Sequence, residues 1–378
     1  MSDKRSQFRA IILEALGQGK WAVGSRLPTE AELTRQYGLS RATIREGITT
    51  LVQEGLLIRR KRAGTIVARL RSKPTSQTIA VIVKCVRGQS DSVNQVLRYI
   101  EDRTHDQGYS LILCNHDNDA DRLDQYLQRA TRDGVAGVLF SPLEGPDRKD
   151  ANLAAVRLLE SRNVPFVLFG NPISSDTLNQ FSFVGSNGYS ATRDLVSHLA
   201  GLGHRRIAFI CFPGAFTSDQ RLAGYLEEMR SRGLEVPKGY IQQLKPVPVE
   251  LQGQEEVRAL LALQPAPTAV IGIHDLIAKN VVEEVRRLGR KVPDDLAVVG
   301  FGDMAFASVM YPPLTTVHIP IEDEAAAETT MLFEKISGKF TGEKQIFFPC
   351  RLVVRRSCGA VPAGDVTVVP LPIMETAK

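Results

Sequence analysis

The feature that most constrains this fold is a regular alternation of apolar runs and amphipathic segments across residues 78–301. The first run, Thr78–Val83, has the continuous apolar pattern of a strand buried on both faces of a parallel sheet. Further strands are predicted at 109–114, 137–140, 165–169, 206–212, 268–273 and 296–301, and helices at 151–161, 190–202, 219–232 and 276–288. Such βα repetition predicts a doubly wound α/β body, and about 280 residues suffice for two lobes. Ligands bind beyond the carboxyl ends of parallel strands, so we expect a site in the cleft between the lobes.

The first 77 residues differ from the rest of the chain in charge. They contain 15 Lys/Arg against 6 Asp/Glu, whereas the whole chain has a net charge of +5, so residues 78–378 carry a net charge of −4. A small basic head on a mildly acidic body indicates a polyanionic partner for the head alone. A solvated basic face would give the same composition, so charge by itself does not decide between the two.

The basic head has the spacing of three helices. An apolar repeat predicts the first over 6–18, and the second begins after Thr29, because Thr29 and Glu32 form a capping box. Gly38 supplies the left-handed residue that ends the second helix, and Ser40 is a good N-cap for the third. Two short helices joined this tightly predict a helix-turn-helix.

The third helix has an apolar stripe and a polar N-terminal end. The stripe is predicted to consist of Ile44, Ile48, Leu51 and Val52. Arg41, Thr43 and Arg45 lie off this stripe, near the helix N-terminus. That end of a recognition helix meets base edges in helix-turn-helix proteins, so these three side chains are the first candidates for DNA contacts.

Two β-prone runs follow the third helix. Residues 56–60 and 65–68 flank Lys61–Gly64, which predicts a hairpin with glycine in its turn. Its basic residues are Arg59, Arg60, Lys61 and Arg62. Each phosphate that they neutralise steepens the salt dependence of binding by roughly 0.9 log unit per log unit of salt. Three helices followed by a basic hairpin are the order of a winged helix-turn-helix, an α+β domain.

Four segments of the head combine into a longer pattern. They are Gly24-x-x-Leu27-Pro28-Thr29-Glu30-x-x-Leu33, Leu39-Ser40-Arg41-x-Thr43-Ile44-Arg45, Leu51-x-x-Glu54-Gly55-Leu56-Leu57 and Gly64-Thr65-x-Val67. This pattern resembles the DNA-binding domain of the GntR family. The resemblance implies operator binding by Thr29, Ser40, Arg41, Thr43, Arg45, Lys61, Arg62, Gly64 and Thr65. Two positions depart from the family: Ala31 replaces a basic residue, and Gly47 replaces an alanine, which costs about 1 kcal/mol unless a neighbour packs closely there.

A polar segment that contains a proline, Arg69–Gln77, follows the head and is predicted to be a linker. The predicted boundaries are 1–69 for the winged-helix domain, 70–77 for the linker, 78–361 for the two-lobed body and 362–378 for a tail. The prolines and valines of the tail fit either a short edge strand or a disordered end.

Motifs in the body form a second pattern. They are Leu202-Gly203-His204-Arg205-Arg206-Ile207-Ala208, Ser218-x-x-Arg221-Leu222-x-Gly224-Tyr225, Pro267-Thr268-Ala269-Val270, His274-Asp275-x-x-Ala278, Val292-Pro293-Asp294-Asp295-Leu296-Ala297-Val298-Val299-Gly300-Phe301 and Pro313-Leu314-Thr315-Thr316-Val317. This pattern resembles the effector domain of the LacI/GalR family, which is itself similar to periplasmic sugar-binding proteins. The resemblance implies a two-lobed, periplasmic-binding-protein-like domain that dimerises and binds a small effector.

The same resemblance implies effector contacts at Asp91, Asn115, Asn187, Arg221, His274, Asp275 and Asp303. Arg221 is the first candidate, since a guanidinium fork suits vicinal hydroxyls or a carboxylate. The chain departs from the family where His274 replaces Asn, where Asn187–Gly188 replaces Asp-Asn, and where Gly302 replaces an Asp that often accepts sugar hydroxyls. These departures leave three interpretations: an altered sugar, a more anionic ligand or an untypical site. For each polar residue the alternative is a satisfied loop or hinge residue.

Motifs of catalysis do not occur in the sequence. The six histidines form no metal-spaced pair, and there is no P-loop, GxGxxG motif or GxSxG elbow, so we predict no enzyme activity, cofactor or metal. The five cysteines form no CxxC pair, which favours buried reduced thiols. The N-terminus has no apolar signal region and no run approaches the ~18 to 20 apolar residues of a membrane span, which predicts a cytoplasmic protein without a membrane partner.

These patterns together predict a bacterial transcriptional regulator, a repressor of carbohydrate-related genes. We expect a homodimer that binds an inverted-repeat operator in double-stranded DNA. A small polar effector, a carbohydrate, is expected to control operator binding from the cleft. The alternative is an activator, or a regulator of non-sugar metabolism with an untypical effector.

Overall fold

The computed structural model describes residues 4–17, 20–22, 24–53, 56–60, 64–67, 76–84, 91–145, 147–212, 214–245, 247–340, 342–360 and 367–369. The chain divides into two compact units. One contains residues 1–77 with the short segments 134–136 and 333–342, and the other contains the remaining residues. Within the described residues, no helix has both the length and the apolar character needed to cross a bilayer.

The head contains three helices and a two-stranded sheet, as the sequence predicts. The helices are α1 (Lys4–Gly17), α2 (Glu30–Tyr37) and α3 (Arg41–Gln53), and the strands are β1 (Leu57–Arg60) and β2 (Gly64–Val67). The strands are antiparallel, with Leu57 opposite Val67 and Arg60 opposite Gly64. The buried core consists of Phe8, Ile12, Leu16, Leu27, Leu33, Ile44, Ile48, Leu51, Leu56, Leu57 and Val67. Three members of the predicted α3 stripe are therefore buried, and the fourth, Val52, is half-buried.

Local hydrogen bonds fix the ends of α2 and the start of α3. The backbone N–H of Thr29 donates to Glu32 Oε2 at 2.6 Å, and the N–H of Glu32 donates to Thr29 Oγ1 at 3.3 Å, which confirms the capping box. Gly38 ends α2 with a φ of 65°, in the left-handed region. Ser40 Oγ accepts from the N–H of Thr43 at 3.2 Å, as expected of an N-cap.

The first lobe of the body is built on a parallel sheet. Its first five strands are β3 (Thr78–Val83), β4 (Ser110–Asn115), β5 (Gly137–Phe140), β6 (Phe166–Phe169) and β7 (Phe183–Ser186), in the spatial order β7-β6-β5-β3-β4. The connecting helices are α4 (Asp91–Asp106), α5 (Ala120–Asp133) and α6 (Lys149–Ser161). The central strands β3, β5 and β6 are almost wholly buried, in keeping with their continuous apolar sequences.

The second lobe repeats this architecture. Its parallel sheet has the order β11-β10-β8-β9, with β8 (Ile207–Cys211), β9 (Ile241–Gln243), β10 (Ala269–Gly272) and β11 (Ala297–Val299). Its helices are α7 (Gly188–Gly201), α8 (Phe216–Ser231), α9 (Gln254–Leu261) and α10 (Asp275–Arg287). One continuous apolar core, centred on these four strands, holds the lobe together.

The chain passes between the lobes three times. It leaves the first sheet after β7, and after β12 (Thr316–His318) and α11 (Ile321–Ser337) it returns as β13 (Gln345–Phe348), which pairs with β7 at the sheet edge. It then enters β14 (Arg351–Val354), which is antiparallel to β12. From the tail, Thr367–Val369 forms an edge strand, β15, on β14. The other residues of 362–378 lie outside the described part.

Four of the five cysteines lie in the described part of the chain. Cys114, Cys211, Cys350 and Cys358 are buried free thiols, which confirms the interpretation for these four. Cys85 lies outside the described residues.

Candidate functional sites

The N-terminal half of α3 presents the predicted DNA-reading side chains. Arg41 and Arg45 are exposed and Thr43 is half-buried. Arg45 is not free, because its Nη2 lies 3.0 Å and its Nε 3.1 Å from Glu30 Oε2 of α2. Arg59 of β1 approaches the same carboxylate, with Nη2 3.6 Å from Oε1. Glu30 therefore holds a recognition-helix arginine and a wing arginine on the same side of the head.

The remaining predicted DNA-binding residues have structural partners or lie outside the described part. The hydroxyls of Thr29 and Ser40 cap α2 and α3. Gly64 adopts a φ of 84°, and a Cβ added there would lie 2.7 Å from Arg26 Nε. The carbonyl of Thr65 accepts from the N–H of Leu27 at 2.9 Å. Lys61 and Arg62 are outside the described residues, so the turn of the wing stays a prediction.

Gly47 is explained by the packing of α1 against α3. A Cβ added at Gly47 would lie 2.4 Å from Cδ1 of Phe8, whose ring is fully buried. A neighbour does pack closely at this position, so the departure from alanine has a steric reason.

The cleft between the two lobes of the body encloses a cavity of ≈ 260 Å³. We call it the cleft cavity. Its walls come from the first lobe, from the crossing segments and from α8. The lining residues are Val83, Lys84, Val96, Leu97, Ser141, Glu144, Phe169, Gly170, Asn171, Ser186, Gly188, Thr217, Arg221, Ile319, Ile321, Glu324 and Glu328. The lining combines aliphatic side chains with groups that can hydrogen-bond, which is the usual composition of a site for a small polar ligand.

Arg221 lines the cleft cavity from the second turn of α8. Its Nη1 donates to the carbonyl of Ile273 at 2.5 Å, and its Cζ lies 3.6 Å from the ring centroid of Phe301. Its Nε is buried and has no hydrogen-bond partner among the residues that the structure describes. Burial lowers the pKa of Arg221 to about 10, so the guanidinium stays charged at neutral pH.

Gly188 makes room for Arg221 at the start of α7. A Cβ added at Gly188 would lie 3.1 Å from Cγ and 3.4 Å from Nε of Arg221. The departure Asn187–Gly188, read from the sequence as a weakened acceptor position, thus leaves space for the arginine stem.

Two acidic residues of α11 line the inner wall of the cleft cavity. Glu324 accepts a hydrogen bond from Ser186 Oγ, and burial raises its pKa to about 7. Glu328 is 2% exposed, and its Oε2 accepts no hydrogen bond from the described part of the chain. Burial raises the pKa of Glu328 well above the ordinary value. Both carboxyl groups therefore bind a proton more tightly than an exposed glutamate does.

Hydrogen bonds join the two lobes across the mouth of the cleft cavity. Asn171 of the first lobe donates to Glu144 Oε1 at 2.6 Å and accepts from the N–H of Thr217 in α8 at 3.1 Å. Glu144 also pairs with Lys84. The N–H of Gly145 donates to the carbonyl of Gly214 at 2.8 Å. Any movement of the lobes has to break or rearrange these bonds.

Seven residues were predicted to bind an effector. Among the described residues that line the cleft cavity, Arg221 is the only one of these seven. Asn187 caps α7 by accepting from the N–H of Ser190 at 3.0 Å, and Asn115 closes a turn with Asp117. The backbone of Asp91 begins α4, but its side chain is outside the described part.

The other three predicted effector residues lie at the strand ends of the second lobe. Asp275 is fully buried and accepts from the N–H of Met304 at 2.7 Å and from Thr316 Oγ1. Asp303 bonds to His318 Nδ1 at 3.1 Å and Arg355 Nη2 at 2.7 Å. Burial, together with the charges of Arg221 and Lys84, lowers the pKa of His274 to about 4. Both aspartates thus hold loops of the second lobe, and effector contacts from them stay a prediction.

Sequence reasoning missed several polar residues of the cleft cavity, namely Lys84, Ser141, Glu144, Asn171, Ser186, Thr217, Glu324 and Glu328. Lys84 follows β3 directly and Asn171 follows β6 by two residues, so the strand-end rule could have found them. Glu324 and Glu328 lie on a helix, where no strand-end signal applies. Their one-turn spacing on an otherwise apolar face was the available signal.

Comparisons with known proteins agree with both halves of this architecture. Residues 4–67 match the family described as bacterial regulatory proteins, gntR family, and residues 196–358 match the periplasmic binding protein-like domain. The chain is 27% identical to the arabinose metabolism transcriptional repressor of Geobacillus stearothermophilus, over 94% of this chain and 97% of that protein. It is 30% identical to the HTH-type transcriptional repressor PurR of Proteus mirabilis, over 78% of this chain and 84% of that protein.

A solved structure described as a transcriptional regulator CelR–cellobiose complex superimposes with a TM-score of 0.66 and 22% identity, covering 88% of this chain and 100% of that one, which shows the shared fold. The head, the two-lobed body and these relatives together identify the chain as a member of the bacterial transcriptional regulators that join a GntR-type winged helix-turn-helix to a LacI-type, periplasmic-binding-protein-like effector domain.

Proposed function

We propose that this protein is a repressor whose affinity for its operator is set by a small sugar-like effector in the cleft cavity. Two observations together carry the proposal. The head has an exposed helix that bears arginines, and the described part of the chain offers no hydrogen-bond partner to the buried Arg221 Nε and Glu328 Oε2 of the cleft cavity. Buried polar groups are normally hydrogen-bonded, and those that are not are natural contacts for a ligand.

The head supplies the operator contacts in this proposal. Arg41, Thr43 and Arg45 reach base edges from α3, and Arg59 and Arg60 of the wing neutralise phosphates. A homodimer with two-fold symmetry presents two such helices to an inverted repeat. The sequences of the operator half-sites are set by the base contacts of α3, while the wing contributes sequence-independent affinity that falls with salt.

In this proposal, the effector controls operator affinity by binding in the cleft cavity. A ligand that contacts Lys84 or Asn171 of the first lobe and Arg221 of the second binds both lobes at once. It therefore favours one lobe arrangement over others, and operator affinity changes only as far as the ligand discriminates between those arrangements. Typical coupling free energies are ~1–3 kcal/mol, a 5- to 150-fold change in affinity.

The sugar-like character of the effector rests on the lining of the cleft cavity and on the relatives. The cavity is smaller than the ~300–1,000 Å³ of sites for drug-sized ligands, and it mixes aliphatic walls with donors and acceptors. One relative is named for arabinose metabolism, and one structure of the same fold holds cellobiose.

A thermal-shift screen of the full-length protein with pentoses, hexoses and their derivatives tests this proposal. We expect at least one sugar to raise the melting temperature, and calorimetry to show at least tenfold weaker binding by Arg221→Met, which keeps the aliphatic stem but removes the fork. The matched control is Arg205→Met, because Arg205 donates to the carbonyl of Ala200, outside the cleft cavity. Unchanged affinity in Arg221→Met would remove Arg221 from the site.

A further inference from the structure

Glu324 and Glu328 form an acidic pair on one face of α11. They are four residues apart, so their side chains lie one helical turn from each other, and both line the cleft cavity. Their residues are 8% and 2% exposed. Ser186 donates to Glu324, while no described residue donates to Glu328 Oε2. A buried acceptor without a partner costs stability, so the packing of this wall alone gives no reason for an acid here.

The lining of the cleft cavity contains more acidic than basic side chains. Three carboxyl groups (Glu144, Glu324 and Glu328) face two cations (Lys84 and Arg221). Lys84 and Glu144 pair with each other. Within the described residues, the buried cavity atoms left without a partner are one donor, Arg221 Nε, and one acceptor, Glu328 Oε2.

A hydroxyl group both donates and accepts, so a hydroxyl-rich ligand can satisfy both of these atoms. A ligand carboxylate or phosphate could accept from Arg221 but would bring a negative charge to the acidic pair. A ligand ammonium would suit the pair but would meet the charges of Arg221 and Lys84. An uncharged group that both donates and accepts hydrogen bonds, such as a hydroxyl, fits the whole inner wall.

We propose that the Glu324–Glu328 pair is the specificity determinant of the cleft cavity, accepting hydrogen bonds from the hydroxyl groups of an uncharged effector and rejecting sugar acids and sugar phosphates of similar size. The inference rests on the proposed function, since it takes the cleft cavity as the effector site. It decides against the more anionic ligand that the departures from the LacI/GalR pattern left open.

Effector binding is then linked to protons. Among the described residues, the groups that face the pair are Arg221 from α8, Asp323 on α11 and Cys350 between β13 and β14. Across the cleft cavity are Lys84 and Glu144. Burial raises the pKa of both carboxyl groups, so each binds a proton more tightly than a solvated glutamate does. Hydroxyl donors favour the ionised carboxylate, so a neutral ligand releases protons when it binds near pH 7, whereas an anionic ligand takes protons up.

The ligand test uses the full-length protein and matched compounds: D-galactose, L-arabinose, D-xylose and D-glucose as neutral sugars, D-galacturonate and D-gluconate as acids, D-glucose 6-phosphate as a phosphate, and D-glucosamine as a cation. We expect a neutral sugar to give the largest thermal shift. Calorimetry of that sugar at pH 7, in phosphate and in Tris, should show proton release. A charged compound that binds more tightly than its neutral counterpart, or proton uptake on binding of the neutral sugar, overturns the proposal.

The residue test uses E328Q, with E256Q as its control. We expect E328Q to bind the neutral sugar at least tenfold more weakly, because an amide is a weaker acceptor than a carboxylate, while its ligand-free melting temperature equals or exceeds that of the wild type. Glu256 is equally buried but accepts from the N–H of Gly253 at 2.9 Å, so E256Q should lose melting temperature and keep sugar affinity. Wild-type affinity in E328Q overturns the proposal. A sugar that binds as expected but leaves operator affinity unchanged contradicts the proposed function instead.

Discussion

At Gly47, helix propensity and core packing favour different residues. In the interior of α3, alanine would be preferred over glycine by about 1 kcal/mol. The ring of Phe8 occupies the space that a Cβ would need, at 2.4 Å. Packing of α1 against α3 therefore outweighs local propensity at this position.

We expect Gly47→Ala to destabilise the head by about 1–3 kcal/mol, the usual cost of overpacking a core. Trp21 is the only tryptophan of the chain and lies against the head core, so its fluorescence during urea unfolding reports this domain. The double variant Gly47→Ala/Phe8→Leu should recover part of the loss. Stabilisation by the single variant would show that the ring of Phe8 moves aside without cost.

Glu324 makes the stability of the body depend on pH, and the sign of this dependence follows from its raised pKa. Burial raises its pKa from 4.5 to about 7, so the folded state holds the proton more tightly than the unfolded state. Its contribution to stability is most favourable below pH 4.5 and is lost as pH rises through about 7, a loss of at most about 3 kcal/mol.

Glu324→Gln should therefore be more stable than the wild type at pH 8, and this difference should vanish as pH falls to 4.5. Thermal unfolding followed by circular dichroism across this range measures it. The control is Glu322→Gln, an exposed position on the same helix. A difference that does not depend on pH would mean that Glu324 is already ionised throughout the range.

At the scale of elements, α2 orients side chains of the neighbouring helix α3 and strand β1. Glu30, in the first turn of α2, bonds to Arg45 and approaches Arg59, so one carboxylate aligns side chains from α3 and β1. Because Arg45 is 64% exposed, this ion pair adds little to stability. Its effect is to reduce the number of orientations available to this arginine, which we propose contacts the operator.

We expect Arg45→Ala to weaken operator binding by about 1–3 kcal/mol and to relax sequence preference, while effector affinity stays unchanged. A gel-shift titration against the DNA upstream of the gene, with a scrambled duplex for comparison, measures both effects. Arg103→Ala, at an exposed position on α4 of the body, is the control. Equal affinity of Arg45→Ala and wild type for the operator would contradict the assignment of α3 as recognition helix.

Elements that bury a continuous apolar run or carry a complete cap could be predicted from the sequence. Strand β3 was predicted with its observed bounds, and α2 began where its capping box placed it. The short strand β9 was missed, because Ile241–Gln243 has too few apolar residues to give a period. The cleft cavity was only partly predictable: the strand-end rule identifies neither Glu324 nor Glu328, which tertiary folding alone brings opposite Arg221.

At the scale of the whole molecule, the two lobes of the body share the cleft cavity, the proposed effector site. Asn171 of the first lobe accepts a hydrogen bond from the N–H of Thr217 in the second, and both residues line the cleft cavity. An effector that bridges Lys84 and Arg221 adds to such contacts, so it stabilises one lobe arrangement. Control of the operator follows if the DNA-bound protein requires one lobe arrangement, since the effector and DNA then change each other's affinity by the same factor.

The most direct measurement of this coupling is an anisotropy titration of a labelled operator duplex with the full-length protein, with and without a saturating concentration of the sugar found by thermal shift. We predict that the sugar changes the operator dissociation constant of the wild type by about 5- to 150-fold, and that of Arg221→Met less than twofold at the same concentration. An operator dissociation constant that is the same with and without saturating sugar in the wild type would contradict the account.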